Sequence, residues 1–304
     1  MTIEAQSARH SLPLFIFTGI TTHNYQHKKI LQFVPELSID KDTPIVTPNI
    51  PLLIFPLIKL IRITFPKTLT SLSPKLGYLL GRNGTLTEVS SVKTGMDQVG
   101  YIDQLNGMDH LPHWSEPPCT SIAGSEGSFF PPRELTKSEM VHIYDKDLCR
   151  IIPLKYVESV EKDGIAADLF RLPNNSYGDS AHNPENKCYD TSEYEPIQGL
   201  QIISPCQYGA AVYISNPHFF ESHPKLLDSV EVLKPEREKH ETYFKIQPKL
   251  GVPLEGKVRI QLNLNVTRAK DVYPVRDFRD FVFPVMWLEE VSHQMHKTHP
   301  ESLS

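Results

Sequence analysis

Several absences narrow this chain before anything present in it does. No apolar run suits a membrane-spanning helix. The longest, IPLLIFPLIKLIRITF at residues 50–65, is interrupted by Pro51, Pro56, Lys59 and Arg62, and it falls short of the ~20 largely uncharged residues a bilayer requires. Basic charge is not in excess: the formal balance over 304 residues is −5, which speaks against a general affinity for nucleic acid. The amino-terminal apolar run at residues 12–20 lacks a basic start, follows Glu4 and contains Pro13, so it makes a weak secretory signal. The four cysteines, Cys119, Cys149, Cys188 and Cys206, include no Cys-x-x-Cys pair, which argues against a zinc knuckle or a thioredoxin-like site.

Catalytic signatures are equally scarce. Gly124-Ser125-Glu126-Gly127 has the wrong spacing for the Gly-x-Ser-x-Gly turn that exposes a nucleophilic serine. The histidine groups at 23/27, 110/113 and 293/296/299 sit in polar or loop contexts without a third ligand held in place. No glycine-rich phosphate loop and no framed carboxylate pair occurs. The chain reads as a non-enzyme with no metal and no cofactor.

Proline, by contrast, is plentiful: 26 residues, well above the usual share of about 5%. It breaks helices and shortens strands, so short strands joined by ordered loops are expected. Asn106-Gly107 and Asp163-Gly164 each lie between alternating runs and mark hairpins. MVHIY, VYIS, TYFKI and the segment 281–290 read as further strands, and residues 174–188 as a long polar loop. VRIQLNLNVT at residues 258–267 alternates without a break, which predicts a strand with a dry apolar face and a wet polar one. The pattern as a whole indicates a mainly β (α+β) fold of antiparallel strands, open or closed into a barrel.

Three Asn-x-Ser/Thr patterns, at Asn83, Asn174 and Asn265, fall on a turn, a polar loop and the polar face of that strand. Such placement suits N-linked glycans and points to an extracellular or luminal compartment. There, the four cysteines can form two disulfides; four buried thiols in a cytosolic chain are the alternative.

A set of motifs then carries a family resemblance: HWSEPPC (113–119), GSEGSFFPP (124–132), DKDLCR (145–150) and NPENKCYD (183–190), followed by VYISNPHF (212–219), HETYFKIQPKLG (240–251) and FPVMWLEE (283–290). Their order and spacing resemble the class B scavenger receptors, insect-type members included. LQFVPELS and TPNIPLL extend the likeness upstream. The resemblance implies an antiparallel β-barrel ectodomain with a small helical cap and a lipid-conducting tunnel, held at the cell membrane or on the luminal side of lysosomal and endosomal membranes. It implies lipid or lipoprotein ligands and no catalysis; chaperoning of a luminal enzyme and a secreted lipid-processing enzyme are the alternatives. It also implies the pairings Cys119–Cys188 and Cys149–Cys206, and it places the ligand-recognising cap near residues 50–72, where Lys59, Arg62 and Lys67 are candidates for acidic head groups.

The chain departs from the family pattern as well. Neither flanking membrane span falls within it, the LWGY-like stretch before Asn83 is missing, and Asp190 stands where some members have a cysteine. The organisation expected is an unassigned segment 1–30, a single truncated ectodomain over 31–290 lacking its early strands, and a flexible tail 291–304.

Overall fold

The structure, a computed structural model, describes residues 3–8, 22–33, 84–190, 196–207, 209, 211–266, 277 and 279–293. Two antiparallel sheets dominate. The first has the order β1 (Ile3–Ala8), β2 (Thr22–Phe33), β3 (Gly84–Lys93) and β4 (Ile102–Leu105). After β4, Asn106 and Gly107 take φ of 51° and 80°, the left-handed pair that a two-residue hairpin turn needs and that Asn-Gly adopts most easily.

The second sheet contains β5 (Met140–Asp145), β6 (Arg150–Lys162), β7 (Ile165–Arg171), β8 (Gln201–Ile202), β9 (Val212–Ser215), β10 (Tyr243–Ile246), β11 (Pro253–Val266) and β12 (Phe281–His293). The order runs β5-β6-β7-β10-β11-β9-β8, with β12 also paired to β11. β11 is its hub. β12 follows one edge of β11 from Glu255 to Val266, so β10 and β9 share the other edge, at Pro253–Lys257 and Gln261–Leu264 respectively. In the gap between them the Thr242 hydroxyl substitutes for a strand, accepting from the Arg259 N–H at 2.9 Å and donating to its carbonyl at 3.2 Å. That keeps a buried stretch of backbone hydrogen-bonded where no strand lies beside it.

The described residues confirm a β-rich antiparallel fold but not a closed barrel ladder. β5 and β8, at opposite ends of the order, are tied instead by Cys149–Cys206 and by Gln207 Nε2 donating to the Asp147 carbonyl at 2.9 Å. Among these residues no helix is long and apolar enough to cross a membrane; the expected cap at 50–72 lies outside them.

The expected wet face of β11 is corrected by the structure. Arg259, Gln261 and Asn263 are 4%, 2% and 0% exposed, whereas Val258, Ile260 and Leu262 on the other face are only half-buried. Alternation in a sequence shows that two faces differ, not which one meets water. Here each polar side chain is satisfied. Gln261 Oε1 accepts the His218 N–H at 2.8 Å, and its amide nitrogen donates to Asn263 Oδ1 at 2.9 Å. Asn263 Nδ2 donates to Ser215 Oγ at 3.0 Å, and Arg259 reaches Glu289 Oε2 at 2.6 Å and the Glu241 carbonyl at 2.7 Å. A fully bonded polar layer is tolerated inside a protein, where an unpaired one is not.

The main core gathers Phe130, Phe170, Phe244, Leu154, Ile152 and Ile214 between β5–β7 and β9–β11. Gly251 fixes one edge of it: a Cβ there would lie 1.7 Å from the Phe130 carbonyl, and its φ is +68°, so only glycine fits. A second cluster, with Ile102, Leu105, Trp114 and Tyr144, joins the two sheets. Gly124 and Ser125 bridge them in the backbone, as Ile102 N–H donates to the Gly124 carbonyl and Ser125 pairs with both Tyr101 and Ile143.

Candidate functional site

Two features of this architecture are chemically distinctive. The first is the apolar face of β11. Val258, Ile260 and Leu262 pack against the main core together with Tyr156 and Val212, yet all five keep part of their surface open. On β12, Met286 stands opposite Leu262 on the same face and is 41% exposed. Apolar surface of this kind binds hydrophobic partners by releasing water, with little demand for directional contacts.

The second is a stapled, loop-rich mantle beside the junction of the sheets. Cys119 is bonded to Cys188 and Cys149 to Cys206, across sequence separations of 69 and 57. Loops of that size each contribute about 4 kcal/mol in the chain-entropy account. Trp114 sits among them, its indole N–H donating to the Cys149 carbonyl at 2.6 Å and its ring meeting Tyr189 edge-on at 4.8 Å. His113, Cys149 and Cys206 bring donor atoms within 4.8 Å of one another. With both sulfurs in the disulfide, no thiolate is available to a metal.

Arg150 anchors the mantle. It is 2% exposed and donates to Gln201 Oε1 at 3.2 Å and to the Ser176 carbonyl at 3.1 Å. Its guanidinium lies 4.3 Å from the Tyr189 ring centre and 5.4 Å from that of Tyr177, distances at which an aromatic face attracts a cation. Asp145, opposite Arg150 in the β5–β6 ladder, accepts the N–H groups of Asp147 and Leu148 on one oxygen. Burial, reinforced by the like charges of Asp147 and Glu290, pushes its carboxyl up to about 7. Burial likewise raises the Tyr177 hydroxyl, against the opposing influence of Arg150.

The residues singled out from the sequence are placed unevenly. The four cysteines converge on the mantle. Asn174 is exposed in a turn and Asn265 is half-buried opposite Val282. Asn83, Lys59, Arg62 and Lys67 lie outside the described residues. Sequence reading passed over Arg150, Asp145 and the buried face of β11. The first two stand inside DKDLCR, a motif noted for its family likeness alone, and nothing local marks an arginine as buried.

Comparison with known proteins supplies the family. A model of the CD36 family matches residues 54–303. The chain is 33% identical to Protein peste of Drosophila melanogaster over 220 residues, 71% of this chain and 40% of that protein. It is 30% identical to Lysosome membrane protein 2 of Mus musculus over 226 residues, 72% of this chain and 46% of that one. With Scavenger receptor class B member 1 of Rattus norvegicus it shares 27% over 219 residues, 71% of this chain and 42% of the receptor. The matched region thus spans less than half the length of these relatives. A family match across most of the chain, on a β-rich antiparallel fold with the motif cysteines joined in two bridges, shows that the chain belongs to the CD36 family, that of the class B scavenger receptors.

Proposed function

We propose that the chain forms part of the ectodomain of a class B scavenger receptor-like lipid receptor, binding fatty acids, sterols or lipoprotein lipids on the extracellular side of the cell membrane or the luminal side of a lysosomal or endosomal one. The observation that carries the reading is the half-covered apolar face of Val258, Ile260 and Leu262 within a family of receptors. That face lines the passage along which ligand moves. Lys59, Arg62 and Lys67 serve the acidic head groups of ligands, and Asn83, Asn174 and Asn265 carry glycans. The residues form one domain and act by binding, without catalysis or cofactor.

The test is lipid extraction from purified protein, followed by incubation with a fluorescent fatty acid. Lipid recovered chemically unaltered, with binding weakened at least tenfold in Ile260→Asp, is the expected result, since a carboxylate on that face opposes apolar contact. Turnover of the bound lipid, or unchanged binding in a folded Ile260→Asp, overturns the reading.

A further inference from the structure

The motifs VYISNPHF and HETYFKIQPKLG each contain one histidine, and the fold brings the two together. His218, in the tight turn Pro217–Phe219, stacks on His240, the last residue of the helical turn Arg237–His240. Their ring centres are 4.3 Å apart and their planes 26° from parallel, and Trp287 of β12 meets His240 edge-on at 6.0 Å. His240 is 3% exposed.

Both imidazoles contact the backbone of one short segment through Nδ1. The Glu236 N–H donates to His240 Nδ1 at 2.8 Å, and the Lys234 N–H donates to His218 Nδ1 at 3.1 Å. A ring nitrogen that accepts from an N–H carries no proton of its own. Protonating His240 at Nδ1 therefore removes the acceptor for Glu236 and sets two donors against each other. His218 differs, because the Lys234 carbonyl also lies 3.1 Å from its Nδ1 and can accept if that nitrogen gains a proton. His240 is the member of the pair whose contact fails in acid.

The surroundings oppose a charge on His240. From the adjoining elements it is faced by His218, by Arg259 of β11, by Trp287 of β12 and by Lys239 beside it, while Glu236 favours the cation. Burial first, then His218, lowers its affinity for a proton from the ordinary 6.5 to about 4. The remaining charges are already engaged. Arg237 pairs with Glu221 at 2.8 Å and with Glu241, Glu241 also meets Arg171 at 3.2 Å, and Glu289 pairs with Arg259. Strain adds to the tendency to open: His218, Phe219 and Glu221 hold φ of 55°, 53° and 56° without being glycine, conformations that persist only while contacts impose them.

We propose that His218 and His240 form an acid-released clasp that holds residues 232–241 against the β11–β12 sheet, and that acidification opens this segment while the disulfide-bonded mantle stays folded. The sign follows from linkage: the open segment binds the proton on His240 more tightly than the closed one. The clasp is thus fully closed above about pH 6.5 and is weakened progressively as pH falls toward 4. The span of the two values corresponds to a loss of roughly 300-fold in the closing equilibrium.

Amide hydrogen exchange, corrected for intrinsic rates and measured at pH 7 and pH 4, tests this directly. Protection at Lys234, Glu236 and residues 239–241 is expected to fall by two orders of magnitude or more, with protection in β5–β7 largely retained. In His240→Asn, whose carboxamide oxygen can still accept from Glu236 but does not titrate, protection is expected to be nearly independent of pH. An unchanged wild-type segment, or an equal loss in His240→Asn, overturns the proposal. Should that variant not fold, an NMR titration of wild-type His240 decides alone: a midpoint at or above 6 removes the clasp.

Discussion

Replacing Asn263 by alanine is the sharpest test of the inverted β11 strand. If the polar face met water, the change would cost no more than about 0.5 kcal/mol, as surface substitutions do. The structure demands more. The Asn263 amide donates to Ser215 Oγ at 3.0 Å and to the Gln261 carbonyl at 3.3 Å, while its oxygen accepts from Gln261 Nε2 at 2.9 Å. Three neutral hydrogen bonds at about 1 kcal/mol each give about 3 kcal/mol. The alanine methyl returns nothing, because the site is already fully buried. Urea denaturation followed by circular dichroism measures the loss as a lower midpoint at unchanged slope. A double-mutant cycle with Ser215→Ala then isolates their contact, at about 1 kcal/mol of coupling. A loss under 0.5 kcal/mol, or strict additivity of the two substitutions, refutes the buried network.

Two further outcomes are expected. Asp145 takes up its proton more readily folded, at about 7, than unfolded, at 3.8, so its effect on stability is mildest in acid and grows unfavourable as pH rises from about 4 through 7. Asp145→Asn, which keeps an acceptor for the Asp147 and Leu148 amides, is therefore expected to gain about 1–3 kcal/mol on wild type between pH 4.5 and pH 8; thermal melts giving equal differences at both values contradict this. Expression through a secretory pathway is expected to yield an endoglycosidase-sensitive mobility shift that loses one step in Asn174→Gln, and an unchanged ladder rules out a glycan at that exposed turn.

Sequence and structure part company in an instructive way. Hairpin positions were legible because turn chemistry is local: Asp163 and Gly164, at φ of 52° and 79°, repeat the left-handed pair of Asn106 and Gly107, and few residues other than Asn, Asp and Gly adopt it. β5 and β10 were legible from alternation over short runs. The orientation of β11 was not, because burial of its polar face depends on partners drawn from Ser215, Thr242 and Glu289, 17 to 48 residues away along the chain. The same holds for His218 and His240, whose stacking arises only once β9 and β10 are laid along one edge of β11. Local chemistry can be read from a string of residues, whereas satisfaction of a buried polar group is a property of the finished fold.

The two disulfides interleave, since Cys149 lies inside the loop closed by Cys119 and Cys188 while Cys206 lies outside it. Any single backbone cut between residues 119 and 206 is consequently spanned by at least one bridge, and a cut between 149 and 188 by both. A protease that nicks one of the mantle's exposed loops leaves a molecule of unchanged mass apart from one added water. In a compartment rich in hydrolases, such a chain keeps its parts together after damage that would divide an unbridged domain in two.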